Sequence, residues 1–190
     1  MKLHAHTRTS FIMSPTKQEI RRNIRQLKAD TPADERERLS AEACDHLRQL
    51  PEWRTAQTVL LFAALPDEVA TQALIAEAAA AGKRVLLPVV QGKELELRIY
   101  TGDENLREGA FHIAEPEGKA FTAFEEIELA VVPGVAFTHK GHRLGRGRGY
   151  YDRLLPQLTV ALKVGLCWPF QLLDNLPHEP HDIMMDLVIC

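Results

Sequence analysis

Apolar and polar positions along the chain follow two different periods. Over residues 15–29, Ile20, Ile24 and Leu27 recur at the spacing of one helix face. Ser14 and Pro15 supply an N-cap and a proline at the first helical position. Pro32 interrupts, and a second helical stretch over 34–50 sets Leu39, Ala43 and Leu47 on one side before Pro51 closes it. Residues 58–63 (TVLLFA) are a short unbroken apolar run, the pattern of a strand buried on both faces. The alanine-rich stretch 71–81 predicts a helix that stops at Gly82. Strands are predicted at 84–90 (RVLLPVV), at 95–100 (LELRIY, alternating and so half-exposed) and at 129–132, just before Pro133-Gly134. A short helix over 150–158, curtailed by Pro156, and strands at 160–166 and 187–189 complete the pattern. Apolar strands that alternate with helices predict one α/β domain, a three-layer α/β/α arrangement on a mainly parallel central sheet.

Composition narrows the class. The 190 residues fit one domain at roughly 150 residues each, and 45% apolar with 26% charged residues is a globular balance, not a disordered one. The net charge of −3 argues against a polybasic coat for nucleic acid or a membrane surface. The longest clean apolar run, residues 59–65, falls far short of the roughly 18 needed to span a bilayer. Residues 1–13 contain no apolar stretch of the secretory kind. Residues 1–12 are expected to be a disordered extension of a domain covering 13–190. Cys44, Cys167 and Cys190 are widely spaced and form no CxxC, so free thiols in a reducing cytoplasm are expected. Apart from His4 and His6 in the N-terminal stretch, the histidines make neither HxH nor HExxH, and no metal is assigned to them.

The chemistry concentrates in residues 133–154, PGVAFTHKGHRLGRGRGYYDRL, between a short strand and a predicted helix. Glycines at 141, 145, 147 and 149 let the backbone turn sharply and bring N–H groups close to a ligand. Lys140, Arg143, Arg146, Arg148 and Arg153 face only one acid, Asp152. Backbone donors and guanidiniums ahead of a helix form an anion site, and phosphate is the usual anion. The segment is neither a Walker A loop nor a GxGxxG turn. An RNA-binding loop of RGG type is the alternative, and it predicts salt-sensitive RNA affinity without ATP turnover. Against it, the segment sits between apolar runs and is not low in complexity.

This stretch resembles the signature of the 5-formyltetrahydrofolate cyclo-ligases, also called 5,10-methenyltetrahydrofolate synthetases, which carry RLGxGxGYYD after a PGVAFD-like strand end. Further matches run in order along the chain. Lys17 and Arg21 resemble the family's KxxxR pair, and residues 66–71 (PDEVAT) its DExxT step. Residues 82–88 resemble its GKxVxxP strand, Glu115-Pro116 its EP dipeptide, and residues 180–186 its HDxxxD ending. The family's fold is similar to that of NagB, RpiA and the CoA-transferases. An isomerase or acyl-CoA-transferase activity would need a different acid/base set, which the sequence lacks.

The resemblance implies ATP- and Mg2+-dependent closure of 5-formyltetrahydrofolate to 5,10-methenyltetrahydrofolate, with ADP and phosphate released. Phosphorylating the formyl oxygen turns it into a leaving group, and N10 attacks the carbon. Such a transfer needs alignment and charge neutralisation more than covalent help. By the same resemblance Lys17, Arg21, Arg143, Leu144, Gly145, Arg146, Gly147, Arg148, Gly149, Tyr150 and Tyr151 bind ATP. Ala63, Glu68, Arg146, Gly147, Arg148, Gly149 and Tyr150 contact the folate. Arg146, Arg148 and Glu68 are the catalytic set, although Arg148 stands where relatives often carry Gly or Lys. Asp152 and Asp182 would hold Mg2+. Arg25, Lys28 and Asp67 are expected to be solvated, and His181 structural. A cytoplasmic monomer without nucleic-acid or membrane partners completes the expectation.

Overall fold

The computed structural model describes residues 15–109, 114–179 and 182–190. The expected extension at 1–12, Ser14 and His181 lie outside these residues. The helices are α1 (Lys17–Asp30), α2 (Ala33–Gln49), α3 (Pro51–Thr55), α4 (Gln72–Ala80) and α5 (Tyr150–Leu154). The strands are β1 (Thr58–Leu60), β2 (Arg84–Gln91), β3 (Glu94–Ile99), β4 (Leu106–Glu108), β5 (Ala114–Pro116), β6 (Leu129–Val132), β7 (Ala136–Phe137), β8 (Arg143–Leu144), β9 (Leu162–Leu166) and β10 (Leu187–Ile189).

Six strands form the main sheet in the order β10-β9-β6-β1-β2-β3. All neighbours are parallel except β3, which returns antiparallel along β2. Successive side chains leave opposite faces of a strand, and the core divides accordingly. Val59, Val85, Leu87, Leu129, Val131 and Val164 pack with α2, α3 and α4 on one face. Leu60, Leu86, Ala130 and Val132 meet Leu154, Leu155 and Leu158 on the other. Helices on one side and α5 with its following turn on the other give the expected three layers. A third cluster joins Ile20 and Ile24 of α1 to Val135, Ala136, Leu144 and Leu176, beyond the strand ends.

Several local expectations change. Thr16, not Ser14, caps α1: its hydroxyl accepts from the Glu19 N–H at 3.2 Å, and the Glu19 carboxylate accepts from the Thr16 N–H at 2.8 Å. That reciprocal box satisfies two end donors at once, and Pro15 stays outside the helix. Pro51 does not only end α2; it opens α3 from the first helical position. On α1, Leu27 is 44% exposed and Lys28 only 5%, the reverse of the expected burial. Pro156 falls in a 3-10 turn over Leu155–Gln157, so α5 is shorter than predicted.

Strand order fixes where a ligand can enter. From β1 the chain crosses to β2 on one side, whereas β6 lies on the other side of β1 and continues outward to β9 and β10. The direction of winding therefore reverses between β1 and β6. In open α/β sheets such a reversal leaves a crevice at the carboxyl ends of the two strands.

Candidate active site

A cavity of about 440 Å³ opens at that crevice. Its wall is built from the exits of β1 (Phe62, Ala63, Leu65, Asp67, Glu68) and β6 (Pro133, Gly134), from the start of β8 (Arg143), and from residues 145–152. Pro88, Val90, Leu95 and Glu115 close the far side. One side is thus largely apolar. The other carries arginines and backbone donors.

The exit of β1 is tied down at several points. The Leu65 N–H donates to Glu68 Oε2 at 3.1 Å, and the Glu68 N–H donates to the Leu65 carbonyl at 3.0 Å. The Thr71 hydroxyl donates to the Phe62 carbonyl, and the Ala70 N–H donates to Ser40 Oγ at 3.2 Å. Glu68 is held with one carboxylate oxygen left for a partner from the glycine loop. That partner is Arg146: its Nε and Nη2 donate to Glu68 Oε1 at 3.1 and 2.9 Å, and Nη2 also donates to Asp67 Oδ1 at 2.6 Å.

The glycine loop has a distinct reason for each residue type. Gly147 has φ +96° and Gly149 φ +73°, a region that disfavours other residues. A Cβ on Gly149 would sit 2.5 Å from Arg153 Nη1. Arg21 holds the loop from α1, its Nε donating to the Gly145 carbonyl at 2.9 Å, while its guanidinium packs on Gly147.

The predicted residues therefore separate into groups. Ala63, Glu68, Arg143, Gly145, Arg146, Gly147, Arg148, Gly149, Tyr150, Tyr151 and Asp152 all line the cavity. Among the described residues no ion-pair partner engages the Arg148 guanidinium, which is exposed. Tyr150 donates its hydroxyl to the Gly92 carbonyl at 3.3 Å, with Arg153 over its ring. Tyr151 lies on the wall and also packs against the second core cluster; burial pushes its phenol well above the usual range. Arg143 lies under the loop, its side chain 5% exposed, bonded to Asp152 Oδ1 at 2.6 Å and to the Pro133 carbonyl at 3.2 Å. Burial pulls its pKa down, against the opposing charge of Asp152.

Leu144 turns its side chain into the third core cluster, so only its backbone is available to a ligand. Lys17 and Asp182 are not on the cavity wall. Lys17 Nζ lies 3.2 Å from Glu179 Oε1 and 3.6 Å from Asp182 Oδ2, and the Glu179 N–H donates to Asp182 Oδ2 at 2.9 Å.

Two residues expected to be solvated are built into the site instead. Lys28 donates to the Asp67 carbonyl at 2.5 Å and lies 3.4 Å from Asp67 Oδ2. Burial would raise the Asp67 carboxyl, but the Arg146 hydrogen bond and the charges of Lys28 and Arg146 outweigh it and lower its pKa. Burial likewise works against the Arg146 guanidinium, and its bonds and charge contacts with Asp67 and Glu68 hold its pKa above the ordinary value. Asp67 adjoins Glu68 in the DE step, a signal that sequence alone could have used. Lys28 offers no comparable signal, because its partner lies 39 positions away.

For magnesium the donor set is sparse. No group of three or more His, Cys, Asp or Glu suited to a metal occurs among the described residues. Asp152 puts a half-exposed carboxylate on the cavity wall with Oδ1 held by Arg143. One carboxylate there fits a Mg2+ that takes its other ligands from phosphate oxygens and water. Asp182, bonded as described, is a poorer donor.

Comparison with known proteins agrees with this architecture. The solved structure of the Aquifex aeolicus 5,10-methenyltetrahydrofolate synthetase superimposes with a TM-score of 0.81 at 37% identity, covering 91% of this chain and 88% of that one. A Mycoplasma pneumoniae 5,10-methenyltetrahydrofolate synthetase gives 0.72 at 26% identity, covering 91% and 97%. These matches place the chain in a class of α/β enzymes. The 5-formyltetrahydrofolate cyclo-ligase family model matches residues 13–190, and the chain belongs to that family. A Haemophilus influenzae 5-formyltetrahydrofolate cyclo-ligase is 32% identical over 182 residues, 91% of this chain and 97% of that protein. A probable 5-formyltetrahydrofolate cyclo-ligase of Schizosaccharomyces pombe is 33% identical over 168 residues, 79% of this chain and 82% of that one.

Proposed function

We propose that this enzyme closes 5-formyltetrahydrofolate to 5,10-methenyltetrahydrofolate at the expense of ATP, releasing ADP and phosphate. The observation that carries the proposal is the hydrogen-bonded Glu68–Arg146 pair on the cavity wall, between an apolar side and a glycine loop. The apolar side, with Phe62, Ala63, Leu65, Pro88, Val90 and Leu95, offers packing to a reduced pterin. Tyr150 and the backbone of residues 147–149 border the same space. Glu68, fixed by the Leu65 N–H, is suited to place the formyl-bearing group.

The nucleotide belongs on the loop side. The backbone N–H groups of residues 145–149 and the guanidiniums of Arg146 and Arg148 suit a triphosphate and the charge that develops in transfer. Arg143 acts from below by fixing Asp152 and the loop, with Leu144 contributing only backbone. Arg21 acts through the Gly145 carbonyl, and Lys17 would reach phosphate by exchanging its acidic partners. Magnesium, when bound, would neutralise phosphate charge, and Asp152 is the residue placed to hold it; Asp182 would serve chiefly to position Lys17. A cytoplasmic monomer is part of the same proposal. No helix among the described residues is long and apolar enough to cross a membrane, and the free thiols of Cys44, Cys167 and Cys190 suit a reducing compartment.

The test is spectroscopic. The absorbance of the methenyl product should appear only when 5-formyltetrahydrofolate, ATP and Mg2+ are present together. A folded sample that gives no signal with all three overturns the proposal.

A further inference from the structure

The buried ammonium of Lys28 has no place in the mechanism above. It sits near the end of α1, 5% exposed, with Nζ on the carbonyl and the carboxylate of Asp67 and 5.5 Å from the centre of the Trp168 ring. Burial lowers its pKa, against the pull of Asp67. A desolvated lysine is a costly way to hold a loop, because an apolar side chain of similar volume often does as well. The position of its partner gives it a further use.

Asp67 is shared. Its Oδ2 faces Lys28 and its Oδ1 accepts from Arg146, which also bonds Glu68 Oε1. Two cations thus balance two carboxylates, and of the two cations only Arg146 lines the cavity. An incoming phosphoryl group can recruit Arg146 only by drawing it off these acids. Were Asp67 balanced by Arg146 alone, that exchange would strand a partly buried carboxylate. With Lys28 on its far side, Asp67 keeps a counter-charge whichever way Arg146 turns.

We propose that Lys28 is a positioning residue of the anion site: by holding the charge of Asp67 from behind, it lets Arg146 exchange its acidic partners for the phosphoryl group of the bound nucleotide. This rests on reading the cavity as the nucleotide and folate site.

The experiment compares wild type with Lys28→Met, Lys28→Arg, Asp67→Asn and the Lys28→Met/Asp67→Asn double variant. Each is measured for ATP KM and kcat, for calorimetric binding of a non-hydrolysable ATP analogue, and for thermal unfolding. Lys28→Met should raise KM and weaken analogue binding about tenfold while kcat changes much less, the mark of binding lost equally in ground and transition states. Lys28→Arg should restore both. The double variant should bind within about threefold of wild type, since without the Asp67 charge nothing extra retains Arg146. A lysine that merely propped the loop would leave the double variant at least as impaired as the single one, and that result overturns the proposal. So does unchanged nucleotide affinity in Lys28→Met. Should Lys28→Met fail to fold, Asp67→Asn decides alone: it keeps the backbone carbonyl that Lys28 bonds and should bind the analogue at least as tightly as wild type, and weaker binding overturns the proposal. An inactive wild type that still shows this binding order would refute the reaction and not the role of Lys28.

Discussion

Arg146→Ala separates chemistry from stability at this site. The guanidinium makes three hydrogen bonds, to Glu68 Oε1 and Asp67 Oδ1, but its side chain and that of Asp67 are each 42% exposed. The Arg146–Asp67 pair, partly solvated on both sides, is worth about 0.2–1 kcal/mol, and the bonds to Glu68, whose side chain is only 10% exposed, add about 1 kcal/mol. Neither acid is orphaned by the truncation, because Glu68 keeps the Leu65 N–H and Asp67 keeps Lys28. The expected stability loss is therefore about 1–2 kcal/mol, a fall of about 2–8 °C in melting temperature for a chain of this length. Catalysis should suffer far more. Removing one preorganised donor from a developing charge typically costs about 10²–10³-fold in kcat, or about 2.7–4 kcal/mol. Turnover in the methenyl-folate absorbance assay and urea unfolding on the same preparation give the two numbers. Arg146→Lys should recover only part of the rate, since an ammonium cannot reproduce the planar fork. Losses of equal size in rate and stability would refute the reasoning and make Arg146 a structural latch.

Two further outcomes test the scaffold around the site. Ser40, 4% exposed, accepts from the Trp168 indole N–H at 2.9 Å and from the Ala70 N–H at 3.2 Å, so Ser40→Ala should strand two donors and cost about 2–4 kcal/mol in urea unfolding. A loss below about 0.5 kcal/mol would show that these bonds contribute little. The carboxyl of Asp67 has a lowered pKa in the folded protein, so its stabilising effect is complete above the unfolded value near 3.8 and disappears as pH falls through the folded value. Asp67→Asn should therefore be less stable than wild type at pH 7, and the gap should close on acidification below about pH 4. A gap of constant size from pH 7 to pH 3 would contradict that.

The parts of the fold that could be read from sequence are those in which one residue type repeats over several positions. The strands β1, β2 and β6 are largely buried on both faces, so they write themselves as apolar runs, whereas β9 (LKVGL) is interrupted by Lys163 and buried only from Val164 on. The strands β7 and β8 have two residues each and carry no period at all. The strands β4 (LRE) and β5 (AEP) contain no apolar run, and helix α3 (PEWRT) offers Trp53 alone among polar residues, so none of the three carries a pattern. Leu27 and Lys28 were misjudged for a related reason. Adjacent helical residues point about 100° apart, and the apolar label of Leu27 concealed that the packed face belongs to its charged neighbour.

The glycine-rich loop was visible because its chemistry is local. Asp67 and Arg146 are 79 positions apart, and no spacing rule joins them. Arg143 was legible as part of the motif but not in its place: strand β8 turns it beneath the loop, where it serves the loop's shape as much as any ligand.

The deeper link between sequence and site lies in α1. Lys17, Arg21 and Lys28 fall within one stripe of the helix, and like charges one turn apart oppose each other in an isolated helix. Here each cation has an acceptor from a different segment: Glu179 for Lys17, the Gly145 carbonyl for Arg21, and Asp67 for Lys28. The neighbouring face, with Ile20 and Ile24, is sealed against Val135, Ala136 and Leu144, the segments that lead into the glycine loop. Apolar contact fixes the helix in place, and the cations then align two loops that share no strand. A helix whose charges looked superfluous on its own thus ties the glycine loop, through Arg21, and the exit of β1, through Lys28, to one rigid element outside the cavity wall.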